Sequence, residues 1–263
     1  MLIARRLAII VTLKCTLNCK LCCNYVTKYY NPPIVDKEKI FFEIKEAFSI
    51  YDKIEWLQFV GGELFLHPDM DLILEEAFKY DAQFDRIILM TNGTIVPKNS
   101  VIEVLRNHKE KIEIHISDYG QLSYKINELE KILSDNKIPF VTKKFHGDIQ
   151  YYGGWIDPGD FSDRGYSDEK IKEVFDSCWQ IGMSNLHLYN GQIHNCIKSL
   201  FATDLEQFDT PKDEYIDLYN DEMTLEEKKE IARKFNTRPL SACKICSGFD
   251  SKNSKRYPAA EQM

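Results

Sequence analysis

Residues 2–23, LIARRLAIIVTLKCTLNCKLCC, decide the fold. The first part, Leu2 to Leu13, is rich in aliphatic and β-branched residues and predicts a buried β-strand. Cys15, Cys19 and Cys22 follow directly with the spacing C-x3-C-x2-C. Cubane iron–sulfur clusters bind four thiolates when their coordination is complete, so a cluster held by these cysteines alone would keep an open position on one iron.

A structural zinc site is the alternative for this loop, because Cys23 can supply a fourth thiolate. The side chains of adjacent residues such as Cys22 and Cys23 diverge, and both rarely reach one ion. We therefore favour the cluster. Metal analysis distinguishes iron–sulfur clusters from zinc. If both cysteine groups of the chain hold clusters, it should find about eight irons and eight sulfides per chain, against about one or two zinc ions.

The chain has 263 residues, of which 44% are hydrophobic and 29% charged, as is typical of a folded domain with or without a small appendage. Its net charge of −7 disfavours binding to nucleic acid or anionic lipid. The apolar run from Leu7 to Leu13 is too short to span a membrane, and no small-residue cleavage site follows it. We expect a cytoplasmic protein that binds neither nucleic acid nor membranes.

The eight cysteines form two groups, one near each end of the chain. Clusters of this kind in a chain of this size, without a secretion signal, indicate metal binding rather than disulfides. The first group lies within residues 15–23 and the second within residues 178–246.

The first 150 residues alternate strand-like apolar runs with amphipathic helical stretches. This alternation predicts an α/β fold with a parallel sheet and helices outside it, either doubly wound or closed toward a barrel. The ligand site of such a sheet lies at the carboxyl ends of the strands.

The pattern changes in the second half. Residues 148–167 are rich in Gly, Asp and aromatic residues and predict irregular structure. Asn190-Gly191 between two apolar segments predicts a β-hairpin, and Thr224 with Glu227 predicts a capping box that opens a helix. We expect one domain over residues 1–150, and a linker with a small C-terminal domain (β-hairpin plus helix) over residues 151–263.

The C-x3-C-x2-C loop after the first strand resembles the radical SAM superfamily. The resemblance implies a partial (β/α) TIM-type barrel, a [4Fe–4S] cluster on Cys15, Cys19 and Cys22, and reductive cleavage of S-adenosyl-L-methionine (SAM) to a 5′-deoxyadenosyl radical. It also implies SAM-contacting positions, since a Gly-Gly-Glu motif follows the second predicted strand and polar residues follow the next two. The residues that match are Leu21, Gly61, Gly62, Glu63, Asn92, Ser117 and Asp118.

The second cysteine group has the pattern C-x12-G-x4-C from Cys178 to Cys196, followed by Cys243 and Cys246. On bare chemistry these four residues can hold zinc or a complete iron–sulfur cluster. The pattern resembles the twitch domain, a truncated SPASM domain, which implies a second, fully ligated [4Fe–4S] cluster. The layout is similar to that of a short two-cluster aminocyclitol dehydrogenase of the superfamily.

That similarity implies oxidation of a carbinol in a sugar, cyclitol or similar polyol to a ketone, with the second cluster accepting an electron. A reductant such as flavodoxin or ferredoxin would supply the first cluster. Arg164 is the candidate for contact with the substrate hydroxyl or for accepting its proton, and an ion pair with Asp160 or Asp163 is the alternative role. His115 and His187 alternate with apolar residues in predicted strands, and we interpret both as sheet-face or core residues.

Other functions remain open. A radical epimerase would need a thiol as hydrogen donor, and only Cys23 is left for that role. A peptide-modifying enzyme of the superfamily would usually carry a further peptide-binding domain, for which we expect no room before residue 2. A non-enzymatic, zinc-stapled module is the third alternative.

Overall fold

The computed structural model describes residues 1–250 and 252–263 and contains one sheet of eight strands. Along the sheet the order is β5-β4-β3-β2-β1-β6-β7-β8, parallel from β5 to β6 and antiparallel from β6 to β8. The strands are β1 (Ile3–Thr12), β2 (Lys53–Gly61), β3 (Phe84–Thr91), β4 (Ile112–Asp118), β5 (Phe140–Lys144), β6 (Asn185–Tyr189), β7 (Gln192–His194) and β8 (Tyr215–Asp217).

Helices connect the parallel strands, as right-handed crossovers require. They are α1 (Lys37–Ile50), α2 (Met70–Phe78), α3 (Asn99–Asn107), α4 (Ile126–Asp135), α5 (Asp168–Asp176), α6 (Trp179–Gly182), α7 (Ile197–Asp204) and α8 (Leu225–Lys234). The capping box of α8 is present as expected, with the side chain of Thr224 accepting from the backbone of Glu227 and the Glu227 carboxylate bonding back. None of the helices in the described ranges has the length and hydrophobicity needed to cross a membrane.

The two faces of the sheet differ in chemistry because side chains alternate along a strand. Leu7 and Ile9 of β1 and Leu57 and Phe59 of β2 belong to the main core cluster, and each is fully buried. Burial of each such side chain contributes about 1.5–3 kcal/mol. The residues between them face the other side of the sheet, where the candidate site lies.

The α/β fold with a mostly parallel sheet, as in a partial TIM-type barrel, is confirmed. The hairpin is also present, because Asn190 and Gly191 both have positive φ, 49° and 76°. Its first strand, β6, pairs with β1, so the hairpin extends the same sheet. The division of the chain near residue 150 stays a prediction.

Candidate functional site

The loop after β1 places the first cysteine group beside a cavity of about 310 Å³, here called the central cavity. Cys15, Cys19 and Cys22 all line it, together with Gly61 and Thr91 at the carboxyl ends of β2 and β3. The thiols are mutually close. Burial, and after it the neighbouring thiols of Cys22 and Cys15, raise the pKa of Cys19 to about 12. The donor set therefore fits a cluster at this edge of the sheet.

A segment at the far end of the sequence braces this loop. Glu261 and Gln262 run antiparallel to it, with the Lys20 amide donating to the Glu261 carbonyl at 2.8 Å. The amide of Asn18 donates to Oε1 of Gln262 at 2.7 Å, and Nε2 of Gln262 donates to Sγ of Cys19 at 3.4 Å. The segment thus both orders the loop and supplies a hydrogen bond to one thiol.

Gly61 and Gly62 let the end of β2 approach the cysteine loop closely. A Cβ atom at Gly61, whose φ is 154°, would lie 2.0 Å from the Thr12 carbonyl oxygen. At Gly62 it would lie 2.2 Å from the Lys14 carbonyl oxygen and 2.9 Å from Cβ of Cys15. Only glycine fits, because both contacts are with backbone or with the base of a side chain.

Glu63, the third residue of the motif, is fully buried and does not line the central cavity. Its carboxylate accepts from Oγ1 of Thr91 at 2.8 Å and from the backbone amides of Asn92 at 2.8 Å and Phe65 at 3.2 Å. Burial raises its pKa to about 7, against the opposing effect of these donors. This arrangement makes Glu63 an anchor for Thr91 and Asn92 at the end of β3, and its direct contact with SAM stays a prediction.

The remaining predicted SAM contacts divide between cavities. Asn92 and Ser117 line the central cavity, and Nδ2 of Asn92 donates to Sγ of Cys15 at 3.5 Å. Leu21 lines an adjoining cavity of about 280 Å³, which also includes Ser117. Asp118 lines neither cavity, because its carboxylate accepts from the Gly120 amide at 2.8 Å and pairs with His146.

The four cysteines of the second group lie in separate segments of the chain that the fold brings together. Cys178 precedes α6, Cys196 precedes α7, and Cys243 and Cys246 lie in or after a short 3₁₀ helix, Ser241–Ile245. Cys178, Cys196 and Cys246 line a cavity of about 60 Å³, here called the auxiliary cavity. Burial, and after it the thiols of Cys246, Cys178 and Cys243, raise the pKa of Cys196. All four thiols thus lie close together.

Within the described residues, no three side chains of His, Cys, Asp or Glu are grouped to hold one metal ion. A cubane cluster binds each thiolate at a different iron, so its ligands must face a shared space. Cys15, Cys19 and Cys22 share the central cavity, and Cys178, Cys196 and Cys246 share the auxiliary cavity, whereas Cys243 does not line it.

Lys198 organises the loop beside the second group and has no signal in the sequence. The side chain is 2% exposed, and its Nζ donates to three carbonyl oxygens: Pro158 at 2.7 Å, Gly159 at 3.0 Å and Asp160 at 2.7 Å. A buried ammonium on the helix directly after Cys196 thus fixes the irregular segment predicted at residues 148–167.

Arg164 lies in the same region. Its Nη2 donates to Oδ1 of Asp160 at 2.8 Å, and its backbone amide donates to the Lys244 carbonyl at 2.9 Å. It does not line the central cavity. The structure therefore shows the alternative ion pair, and contact with a substrate hydroxyl stays a prediction.

Cys23 occupies the position where the cavities meet. It lines the central cavity, the adjoining cavity and the auxiliary cavity. Its side chain retains accessible surface, and burial is the largest effect that raises its pKa. The one thiol that the sequence left for a hydrogen donor therefore borders the space shared by these cavities.

Two residues of β6, Asn185 and His187, also line the central cavity, opposite Gln58 of β2. His187 is thus a sheet-face residue, as its alternation with apolar residues predicts, and its face borders the cavity. The available signal was the alternation NLHLY, which puts both polar residues on one face of a strand that is otherwise apolar.

Comparisons with known proteins agree with this geometry. Residues 9–127 match the model of the radical SAM superfamily. The structure of BtrN in complex with AdoMet and 2-DOIA is 14% identical, with coverage of 100% of this chain and 99% of that one and a TM-score of 0.55. Native anSMEcpe with bound AdoMet is 14% identical, with coverage of 97% and 93% and a TM-score of 0.57. No curated protein matched the chain by sequence.

At these identities the structural likeness shows the fold, and the family match covers the part of the chain that carries the first cysteine group and the Gly-Gly-Glu motif. Radical SAM enzymes use a [4Fe–4S] cluster and SAM, for which the three-cysteine loop and the glycine-lined end of β2 provide a suitable site. Residues 9–127 are therefore similar to the radical SAM superfamily, within a chain whose fold resembles those of the two solved structures.

Proposed function

We propose that the protein is a radical SAM dehydrogenase that oxidises a carbinol of a sugar, an aminocyclitol or a similar polyol to a ketone. Such an oxidation removes a hydrogen atom, a proton and an electron from the substrate, so it requires an electron acceptor nearby. The observation that carries the proposal is the adjacency of the two cysteine groups. The central and auxiliary cavities share Cys23, Gln180 and Ile197 as lining residues.

The residues of the chain have distinct roles in this proposal. Cys15, Cys19 and Cys22 would hold the first [4Fe–4S] cluster, and the second group would hold another. When bound, the clusters and SAM would supply a hydrogen-abstracting 5′-deoxyadenosyl radical and a one-electron acceptor. Gly61 and Gly62 leave room for a ligand beside the loop. A flavodoxin- or ferredoxin-type partner would provide the external electron.

The second group is suited to accepting an electron because it is complete in itself. Four cysteines, Cys178, Cys196, Cys243 and Cys246, match the four thiolates of a fully ligated cluster and leave no open iron. The ammonium of Lys198 is near Cys246 and Cys196. Its positive charge favours the added negative charge of a reduced cluster.

Epimerisation is the second candidate, and the position of Cys23 favours it. An epimerase returns a hydrogen atom to the substrate carbon, and Cys23 provides a thiol that faces the central cavity. Oxidation remains the first choice because the second cysteine group would otherwise have no role next to that cavity.

The two reactions give products of different mass in heavy water. The reconstituted, reduced enzyme is incubated with SAM and with uncharged and amino-substituted polyols, and the products are weighed. A product two mass units lighter, without solvent deuterium, supports the dehydrogenase. A product one unit heavier, whose label is lost in Cys23→Ala, contradicts it and makes Cys23 catalytic.

A further inference from the structure

One layer of residues across the sheet leaves a gap between two polar side chains. Ala8 of β1 is in register with His187 of β6 on one side and with Gln58 of β2 on the other. All three residues line the central cavity. Neighbouring strands are about 4.8 Å apart, so the backbones that carry His187 and Gln58 are about 10 Å apart. The methyl group of Ala8 between them leaves this width open.

Two polar atoms on the β6 side of the gap have no partner within the described part of the protein. They are Nε2 of His187 and Oδ1 of Asn185, and their residues are 9% and 6% exposed. A buried polar group without a hydrogen bond costs about 1–3 kcal/mol. Both side chains border the central cavity, so a ligand in the cavity is the partner at hand.

The central cavity has no charged lining. Its described lining residues include amides, hydroxyls, thiols and apolar groups, but no Asp, Glu, Lys or Arg. Burial, and after it the positive charge of Arg6, lower the pKa of His187 to about 4, so the imidazole is neutral near pH 7. A phosphate or carboxylate on a substrate beside His187 would lose its hydration without gaining a countercharge from the protein lining.

We propose that His187, Asn185 and Gln58 bind the substrate, and that they select an uncharged, hydroxyl-bearing molecule against its phosphorylated or carboxylated counterpart. The inference rests on the proposed function and narrows its substrate class. A hydroxyl group suits this site because it donates to an imidazole nitrogen or amide oxygen and also accepts from an amide N–H. The width of the gap accommodates a six-membered polyol ring.

The chain supplies its own control histidine. His194 of β7 is the register partner of His187, and it is fully buried. Its ring nitrogens lie 3.0 Å from Oγ of Ser199 and 3.2 Å from Oε1 of Gln192, and the ring stacks on Tyr215. His194 is thus satisfied by protein groups, whereas His187 is not.

The test measures binding to the anaerobically reconstituted enzyme with SAM present. Equilibrium dialysis compares myo-inositol, D-glucose and glycerol with myo-inositol 1-phosphate, glucose 6-phosphate and glycerol 3-phosphate. We expect at least one uncharged probe to bind at least tenfold more tightly than its phosphate. The same probe should bind at least tenfold more weakly to His187→Leu, while SAM affinity and iron content stay at the wild-type level. His194→Gln should bind the probe as the wild type does.

A second variant, Gln58→Leu, tests the opposite side of the gap and gives an answer even when His187→Leu fails to fold. Binding of the phosphates alone, binding of none of the probes, or unchanged binding by both variants overturns the inference. If the wild type forms a ketone and His187→Leu does so with unchanged KM, the proposed function stands and this inference fails. If binding depends on His187 but no ketone forms, the inference stands and the proposed oxidation fails.

Discussion

The two cysteine groups differ in how much of the chain is needed to assemble them. Cys15, Cys19 and Cys22 come from one loop after β1, whereas the other four cysteines are distributed over residues 178–246 and meet only when α5, the β6–β7 hairpin and the 3₁₀ helix are packed. A local set keeps its ligand spacing through the loop itself. A dispersed set depends on the tertiary structure and on buried polar anchors such as Lys198.

The largest effect is expected from removing the first, local cysteine group. Replacing Cys15, Cys19 and Cys22 together by Ala should abolish the conversion of SAM to methionine and 5′-deoxyadenosine. The variant should retain about four irons, because the second group binds its cluster independently. Iron analysis and chromatography of the SAM products measure both. Undiminished SAM cleavage would contradict the assignment, and so would a change in the remaining cluster's spectrum when SAM is added.

The converse variant tests the dispersed group. Cys178→Ala with Cys196→Ala should halve the iron content and leave SAM cleavage within a few-fold of wild type. Formation of the oxidised product should fall at least a hundredfold, because no acceptor remains for the substrate electron. Quantifying 5′-deoxyadenosine and product in the same reaction measures this uncoupling. Unchanged product yield would remove the second cluster from the mechanism.

Lys198→Met tests the anchor of the dispersed group. The variant removes the shared donor of three partly buried carbonyl oxygens, which should lower the free energy of unfolding by about 2 kcal/mol. Urea denaturation measures the loss. Lys170→Met is the matched control, since Lys170 is exposed and pairs only with Glu173, and it should change stability by less than about 0.5 kcal/mol. Equal effects of the two substitutions would exclude the anchoring role.

The stability contributions of Glu63, beside the first cysteine group, and His194, beside the second, should be lost at opposite ends of the pH scale. Burial raises the pKa of Glu63 from 4.5 to about 7, so its contribution to stability is full below pH 4.5 and is lost as the pH rises through 7. Burial, and then His187, lower the pKa of His194 from 6.5 to about 3. The contribution of His194 is therefore full above pH 6.5 and is lost as the pH falls, by about 2 kcal/mol at pH 5.

Urea unfolding between pH 4.5 and pH 8 separates these contributions. Glu63→Gln should reduce the alkaline decline by about 3 kcal/mol, and His194→Gln should reduce the acid decline, to which His187 also contributes. Each variant should leave the other limb unchanged. A single substitution that reduced both the acid and the alkaline decline in stability would show that Glu63 and His194 do not titrate independently.

The smallest expected effect concerns the brace on the local group. Hydrogen bonds to cluster sulfurs influence reduction potentials. Gln262→Leu removes the donor to Cys19 and should lower the potential of the first cluster, with unchanged iron content. Glu261→Gln is the control, because it changes an exposed carboxylate and leaves the backbone pairing and Gln262 in place. Spectroscopic redox titration of both variants measures the shift, and equal potentials would contradict the effect.

The same contrast explains what could be predicted from the sequence. Strand β1, the Asn190-Gly191 turn and the capping box of α8 depend on local patterns, and the structure has each of them. The partners of Glu63 and Lys198 depend on contacts between distant segments, which local patterns do not encode. His187 is a buried sheet-face residue as predicted, but alternation shows only which residues share a face and not whether that face borders a cavity.

The pairing of Glu261 and Gln262 with the cysteine loop has a consequence for biogenesis. Its hydrogen bonds join residues 241 to 244 positions apart in the sequence. During synthesis from the N-terminus, the loop at residues 15–22 leaves the ribosome long before its brace exists. We therefore expect the loop to stay open for insertion of a cluster until residue 262 has emerged and docked.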